Sequence, residues 1–63
     1  MQPHQRRILD EQIKLTDEIA ELHKFRIGPI FNSLPAEERS RLNRQMLIME
    51  LYEQVLSERI LAF

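Results

Sequence analysis

Two groups of basic side chains are the residues whose types and spacing could bind a ligand. The first group lies near the start of the chain and consists of His4, Arg6 and Arg7. The second group lies in the second half of the chain and consists of Arg39, Arg41 and Arg44. Guanidinium groups match phosphate in a bidentate manner and can stack on nucleobases. Both groups are therefore candidate binding sites for a small anionic ligand.

The alternative for these arginines is a solvated face, on which they only form ion pairs with Asp10, Glu11, Glu37 and Glu38. Pairs spaced four residues apart are expected at Arg6–Asp10, Arg7–Glu11, Asp10–Lys14 and Glu37–Arg41. Each such pair is worth about 0.2–0.5 kcal/mol on a helix. Because the sequence contains both the arginines and their possible partners, it leaves the two interpretations open.

Patterns typical of catalysis or metal binding are absent from the sequence. The single glycine excludes a glycine-rich phosphate loop, and no serine has a neighbouring base at a familiar spacing. There is no cysteine, and the two histidines, His4 and His23, are far apart and lack a second ligand nearby. We therefore expect a protein that is not an enzyme and that uses no metal or other cofactor.

Length and charge limit the class of protein further. A chain of 63 residues forms one small domain, and a chain of that size buries only about 60% of its unfolded surface. Since disulfides are excluded, association with further copies is the remaining way to add buried surface. The net charge of −1 argues against binding to DNA or RNA polymers. No apolar run is long enough to span a membrane, so a cytosolic protein is expected.

The segment "RIGPIFNSLP", residues 26–35, divides the chain into two predicted helices. Gly28 can end a helix in the left-handed conformation, and Pro29 prevents its continuation. Pro35 suits the first position of a new helix. The sequence therefore predicts helices over about 3–26 and about 35–61, joined by a loop over about 27–34. An eight-residue connection favours an all-α, antiparallel two-helix hairpin that forms a single domain over residues 1–63.

Each predicted helix carries more apolar surface than a hairpin needs. Helix 1 has one stripe of Ile8, Leu15, Ile19 and Leu22, and a narrower one of Leu9, Ile13 and Ala20. Helix 2 has one stripe of Leu42, Met46, Met49, Leu56 and Ile60, with Tyr52 and Phe63 beside it. Its opposite stripe consists of Leu47, Ile48, Leu51 and Val55. Because exposed apolar patches of this size mark interfaces, we expect this last stripe to form the interface of a homo-oligomer.

The order of several short segments resembles a known family of phage proteins. These segments are "PHQRRILDEQ", "LTDEIAELHKF", "FNSLPAEERSRLNRQ", an M-x-x-Y pair and "VLSERI". Together they resemble the phage anti-CBASS cyclic-nucleotide sponges, whose helical-hairpin domain also occurs in a class of Thoeris anti-defence proteins. The resemblance extends from about Pro3 to Ile60 and implies a hairpin oligomer, hexameric in the sponges.

The resemblance also implies a function and a set of ligand contacts. Sponges of this family bind cyclic di- or trinucleotides without cleaving them, in the cytoplasm of the infected bacterium, and so block CBASS immune signalling. The matching dinucleotide contacts are His4, which replaces a tyrosine of some sponges, and Arg7, with Arg6 beside them. Arg41 and Arg44 are the candidates for a trinucleotide pocket.

A second hypothesis explains the surplus apolar stripe without a nucleotide. The hairpin could be a non-catalytic interaction module of a phage, in which Leu47, Leu51 and Val55 dock a helix of a host or phage partner. The state of the free protein separates the two hypotheses. An oligomer fits the sponge, whereas a monomer with an exposed apolar face fits the interaction module.

Overall fold

The chain folds into two long helices joined by a short one. The computed structural model describes residues 1–63, with α1 at Pro3–Ile27, α2 at Pro29–Ser33 and α3 at Ala36–Leu61. No strand is present, so the predicted all-α class is confirmed. The long helices run antiparallel, because Gln12 contacts Ser57 whereas Arg26 contacts Met46. The molecule is a rod of 46 × 15 × 14 Å.

The connection between the long helices contains α2, where the sequence predicted only a loop. Pro29 lies in the first turn of α2, and the Ser33 hydroxyl donates to the Ile30 carbonyl at 2.6 Å. The Phe31 ring packs edge-on against Phe25 of α1, with the centroids 6.3 Å apart and an interplanar angle of 84°. A five-residue helix is not stable alone. Its formation depends on this tertiary contact, which local sequence patterns do not show.

The expectation that Gly28 adopts the left-handed conformation is wrong. Its φ is −83° and its ψ is 169°, and no residue of the chain has a positive φ. The ring of a following proline disfavours the helical conformation of the preceding residue, so Pro29 ends α1 without help from a glycine. Pro35 acts in the same way on Leu34 and caps α3, which begins one residue later than predicted.

The seam between α1 and α3 buries the stripes that periodicity assigned to it. Leu15, Met46 and Leu56 are 6%, 2% and 1% exposed and are the only buried residues of the chain. Half-buried side chains continue the seam toward both ends, and these include Ile8, Ile19, Leu22, Leu42, Met49 and Ile60. Neither long helix combines the length and the hydropathy that crossing a membrane requires.

Candidate ligand-binding surfaces

The two groups of basic residues lie at opposite ends of the hairpin. Because α1 and α3 are antiparallel, the start of α1 lies beside the end of α3, whereas the start of α3 lies beside the end of α1. The group of His4, Arg6 and Arg7 is thus at the open end of the rod, and Arg41 and Arg44 are near the connection. One chain therefore does not bring the two groups to a common site.

The group at the open end is exposed and only partly paired. His4, Arg6 and Arg7 are all exposed in the first turns of α1. Arg6 Nε lies 3.4 Å from Asp10 Oδ1, but the two side chains are 72% and 60% exposed, so this pair contributes little to stability. Arg7 forms no ion pair. His4 and Arg7 are therefore free to meet a ligand at the start of the helix, where the helix dipole also favours anions.

Most of the ion pairs expected from helix spacing are not formed. Only Arg6–Asp10 is present, whereas the pairs Arg7–Glu11, Asp10–Lys14 and Glu37–Arg41 are absent. Arg41 pairs instead with Glu38, with Nε 2.8 Å from Oε1. Exposed pairs gain little energy and lose side-chain entropy, so spacing alone does not bring them together. The solvated-face interpretation therefore does not account for Arg7 and Arg44, which have no carboxylate partner.

Arg41 and Arg44 line a shallow surface depression on α3. Its other lining residues are Gln45, Ile48 and Met49. Ile48 belongs at the same time to the surplus stripe, so the depression opens directly onto apolar surface. The third arginine of this group, Arg39, is half-buried, and its Nε has no hydrogen-bond partner. The depression offers guanidinium groups to an anion and an apolar edge to a ring.

The surplus stripe on α3 lies on the side of the helix opposite the seam and is open to solvent. Its four residues are 58%, 65%, 55% and 49% exposed, in the order Leu47, Ile48, Leu51 and Val55. On α1, Ile13 of the narrower second stripe is 61% exposed. A single hairpin thus leaves uncovered the residues that the sequence assigned to an oligomer interface.

A polar layer inside the seam was missed by the sequence analysis. Gln12 Nε2 donates to Ser57 Oγ at 2.8 Å and to Glu53 Oε1 at 3.3 Å. The Ser57 hydroxyl in turn donates to Glu53 Oε1 at 2.8 Å. A signal was present, because Gln12 lies between Ile8 and Leu15 at seam spacing. These three residues satisfy one another across the helices.

The polar layer borders a second depression of the opposite chemical character. Its lining residues are Thr16, Ile19, Glu50, Glu53 and Gln54. Two carboxylates repel an anionic ligand, so this depression does not suit phosphate. The two sides of α3 therefore differ, with arginines lining one depression and carboxylates lining the other.

Residues 2–62 match the model of a protein family described as Sequestin. Comparison with curated proteins and with solved structures found no match. The matched residues include both basic groups, the seam and the exposed stripe of α3.

Proposed function

The chain belongs to the Sequestin family, and on that premise we propose that it sequesters a small ligand without transforming it. The proposed ligand is a cyclic di- or trinucleotide second messenger, which carries phosphates for arginines and bases for stacking. The resemblance of residues 3–60 to anti-CBASS sponges supports this class of ligand. The proposed setting is a bacterium infected by a phage that encodes the protein. There, bound messenger in the host cytoplasm no longer activates the CBASS effector.

The depression beside Arg41 and Arg44 is the observation that carries the proposal. It combines two guanidinium groups with an apolar edge, and a nucleotide presents the complementary pair of a phosphate and a base. Arg44 has no carboxylate partner, so binding a phosphate there breaks no ion pair. His4 and Arg7 form the second proposed contact region, at the other end of the hairpin.

Self-association is part of the proposed function. Three buried residues are a small core for a folded domain. The exposed stripe of α3 offers further apolar area, and each side chain of this type that becomes buried gains about 1.5–3 kcal/mol. We therefore propose a homo-oligomer built through Leu47, Ile48, Leu51 and Val55, with the hexamer of the sponges as the expected state.

Isothermal titration calorimetry with a panel of cyclic nucleotides tests the proposed ligand. The panel contains cyclic di-AMP, cyclic di-GMP, cyclic GMP–AMP and cyclic tri-AMP, with linear dinucleotides as controls. We expect heat from at least one cyclic ligand, and we expect the intact ligand to be recovered after the protein is denatured. Absence of heat from the whole panel contradicts the ligand class, and recovery of linear products contradicts sequestration.

The exposure of the stripe also favours a second candidate function. Three apolar side chains at helix spacing, Leu47, Leu51 and Val55, could receive the apolar face of a helix from a host or phage protein. Sedimentation equilibrium distinguishes the candidates, because the interaction module stays a monomer at all protein concentrations. A stable oligomer that binds a cyclic nucleotide excludes this alternative as the main function.

A further inference from the structure

The outward surface of α3 changes its chemical character along the helix. One line of side chains recurs there at spacings of three, four, three, four and three residues, and consists of Arg41, Arg44, Ile48, Leu51, Val55 and Glu58. This spacing places the side chains on one face. The line is basic at its start, apolar in its middle and acidic at its end. Neither Arg44 nor Glu58 forms an ion pair within the chain.

The charges on this line distinguish the two ways in which a second copy could cover it. In an antiparallel arrangement centred on Leu51, Arg44 faces Glu58 of the second copy at both ends of the contact. In a parallel arrangement Arg44 faces Arg44 and Glu58 faces Glu58. Opposite charges across an interface are favourable, and like charges oppose association. The apolar middle is common to both arrangements, so the charges select the antiparallel one.

We propose that α3 packs antiparallel against α3 of a second copy, with Leu51 near the two-fold axis, and that this pairing completes an anion-binding site. This proposal rests on the proposed function. The pairing states how the chains self-associate, and the site states which residues contact the ligand. The occupant of the stripe is therefore a second copy of this chain. Charge complementarity supports this occupant over a foreign helix.

The residues that complete the site lie on one flank of α3, between the exposed stripe and the seam. They recur at spacings of four, seven and seven residues and consist of Arg41, Gln45, Tyr52 and Arg59, and Phe63 follows two residues after the end of α3. We call this surface the basic–aromatic flank. Tyr52 and Phe63 are 45% and 47% exposed, and both arginines are exposed. The other flank carries Glu50 and Glu53 beside α1.

Two-fold symmetry then places both basic–aromatic flanks on the same side of the pair. A two-fold axis perpendicular to antiparallel helices keeps corresponding flanks together, whereas a parallel two-fold pair separates them. At a rise of about 1.5 Å per residue, Arg41 lies within about 3 Å along the axis of Arg59 of the second copy, and Phe63 of that copy follows the end of its α3. A guanidinium from each chain can then hold one phosphate, and the Phe63 ring can stack on a base. Neither chain provides this combination alone.

Each pair contains two such sites, related by the two-fold axis. The two copies of Arg41 are about 30 Å apart along the helices, which is too far for one small cyclic nucleotide to reach both. Each pair therefore binds one ligand at each end of the contact between its two α3 helices. This arrangement explains why Arg41 and Arg44 lie so near the apolar stripe, since the interface and the site use the same surface.

Cysteine cross-linking tests the arrangement, and the chain contains no cysteine of its own. We expect Leu51→Cys to form a disulfide-linked dimer upon oxidation. We expect Arg44→Cys not to cross-link with itself, because the two positions are about 21 Å apart, whereas disulfides need Cα atoms within about 7 Å. A mixture of Arg44→Cys and Glu58→Cys chains should cross-link. Self-linking of Arg44→Cys contradicts the antiparallel pairing, and so does a monomeric mass with no cross-link in any variant.

Subunit complementation tests whether the two chains share the site. With the cyclic nucleotide that binds the wild type most tightly as the probe, Arg41→Ala and Arg59→Ala should each weaken binding at least tenfold. A refolded mixture of the two variants should recover tight binding at about half of the sites formed by mixed pairs, because one site of each mixed pair keeps both arginines. Tight wild-type binding without this recovery contradicts the shared site alone. Absence of any wild-type binding contradicts the proposed function as well, and cross-linking still decides the pairing.

Discussion

Gln12 of α1 donates a hydrogen bond of 2.8 Å to Ser57 of α3, and this contact fixes how the two long helices align. The apolar seam residues alone could pack after a shift of one turn, because Met and Leu side chains fit each other in several registers. A hydrogen-bonded layer tolerates only the register in which its groups meet. The layer therefore determines which residues of α1 lie beside which residues of α3.

Replacing Gln12 should destabilise the hairpin measurably. Gln12→Ala removes two half-buried hydrogen bonds, and we expect the free energy of unfolding to fall by about 1–2 kcal/mol. Urea unfolding followed by circular dichroism at a fixed protein concentration measures this loss, since stability of an oligomer depends on concentration. Gln54→Ala, at an exposed position of α3, is the matched control. If both variants lowered the free energy of unfolding equally, the hydrogen bonds of the polar layer would not contribute to stability.

The residues of the seam show how far sequence reasoning reaches in this fold. Apolar periodicity predicted the stripe of Leu15 and the stripe of Met46 and Leu56, because burial and helical spacing are directly linked. It did not predict α2, which depends on the contact between Phe25 and Phe31 rather than on local preference. The conformation of Gly28 was also predicted wrongly, since the effect of the following proline outweighs the freedom of glycine.

The candidate site was predictable only as a set of residue types. Arginine groups and their approximate positions on the helices follow from the sequence. The sequence does not show which arginines are free of ion pairs, since spacing alone does not decide that Arg41 pairs with Glu38 rather than with Glu37. The placement of the two groups at opposite ends follows from the antiparallel hairpin, which the length of the connection predicted.

Replacing Gly28 by alanine should leave the hairpin as stable or make it slightly more stable. Its φ of −83° is accessible to any residue, and an added Cβ would meet only the Lys24 and Phe25 carbonyl oxygens at 3.5 Å. Alanine also restricts the unfolded chain, so we expect a gain of about 0–1 kcal/mol in the free energy of unfolding. Thermal unfolding measures it. A loss of about 1 kcal/mol would indicate the left-handed conformation that the structure lacks.

A charge in the middle of the exposed stripe should disrupt self-association. Leu51→Glu places an unpaired carboxylate in the proposed interface, and burying such a charge is costly. We expect the mass from analytical ultracentrifugation to fall, together with the helical signal. Ile27→Glu is the matched control, because Ile27 is 88% exposed and lies away from the stripe. If Leu51→Glu kept the wild-type mass and fold, Leu51 would not belong to the interface.

Substitutions at the open end should weaken cyclic dinucleotide binding and leave the oligomer intact. His4 and Arg7 are exposed and form no ion pair. Removing either side chain should therefore lower the affinity for a ligand more than the stability of the fold. Loss of a charged hydrogen bond costs about 1.5–3 kcal/mol, which corresponds to about tenfold to a hundredfold in Kd. We expect this loss for Arg7→Ala, and a smaller one for His4→Ala. Calorimetry measures both, with Lys14→Ala as the control. Unchanged affinity in both variants would place the dinucleotide site elsewhere.

Reversing the charges at the ends of the stripe should weaken association singly and restore it in combination. Arg44→Glu places a carboxylate opposite Glu58 of the second copy, and Glu58→Arg places a guanidinium opposite Arg44 of the second copy. Because each repulsion occurs twice in a symmetric pair, we expect the dissociation constant of the oligomer to rise about tenfold or more. The double variant R44E/E58R exchanges the charges and should associate as the wild type does. Sedimentation equilibrium at low salt measures all three, and Lys14→Glu on α1 is the control for a reversal outside the stripe. In a parallel pair the wild type and all three variants oppose like charges, so a loss of association in the single variants followed by recovery in the double variant separates the two orientations.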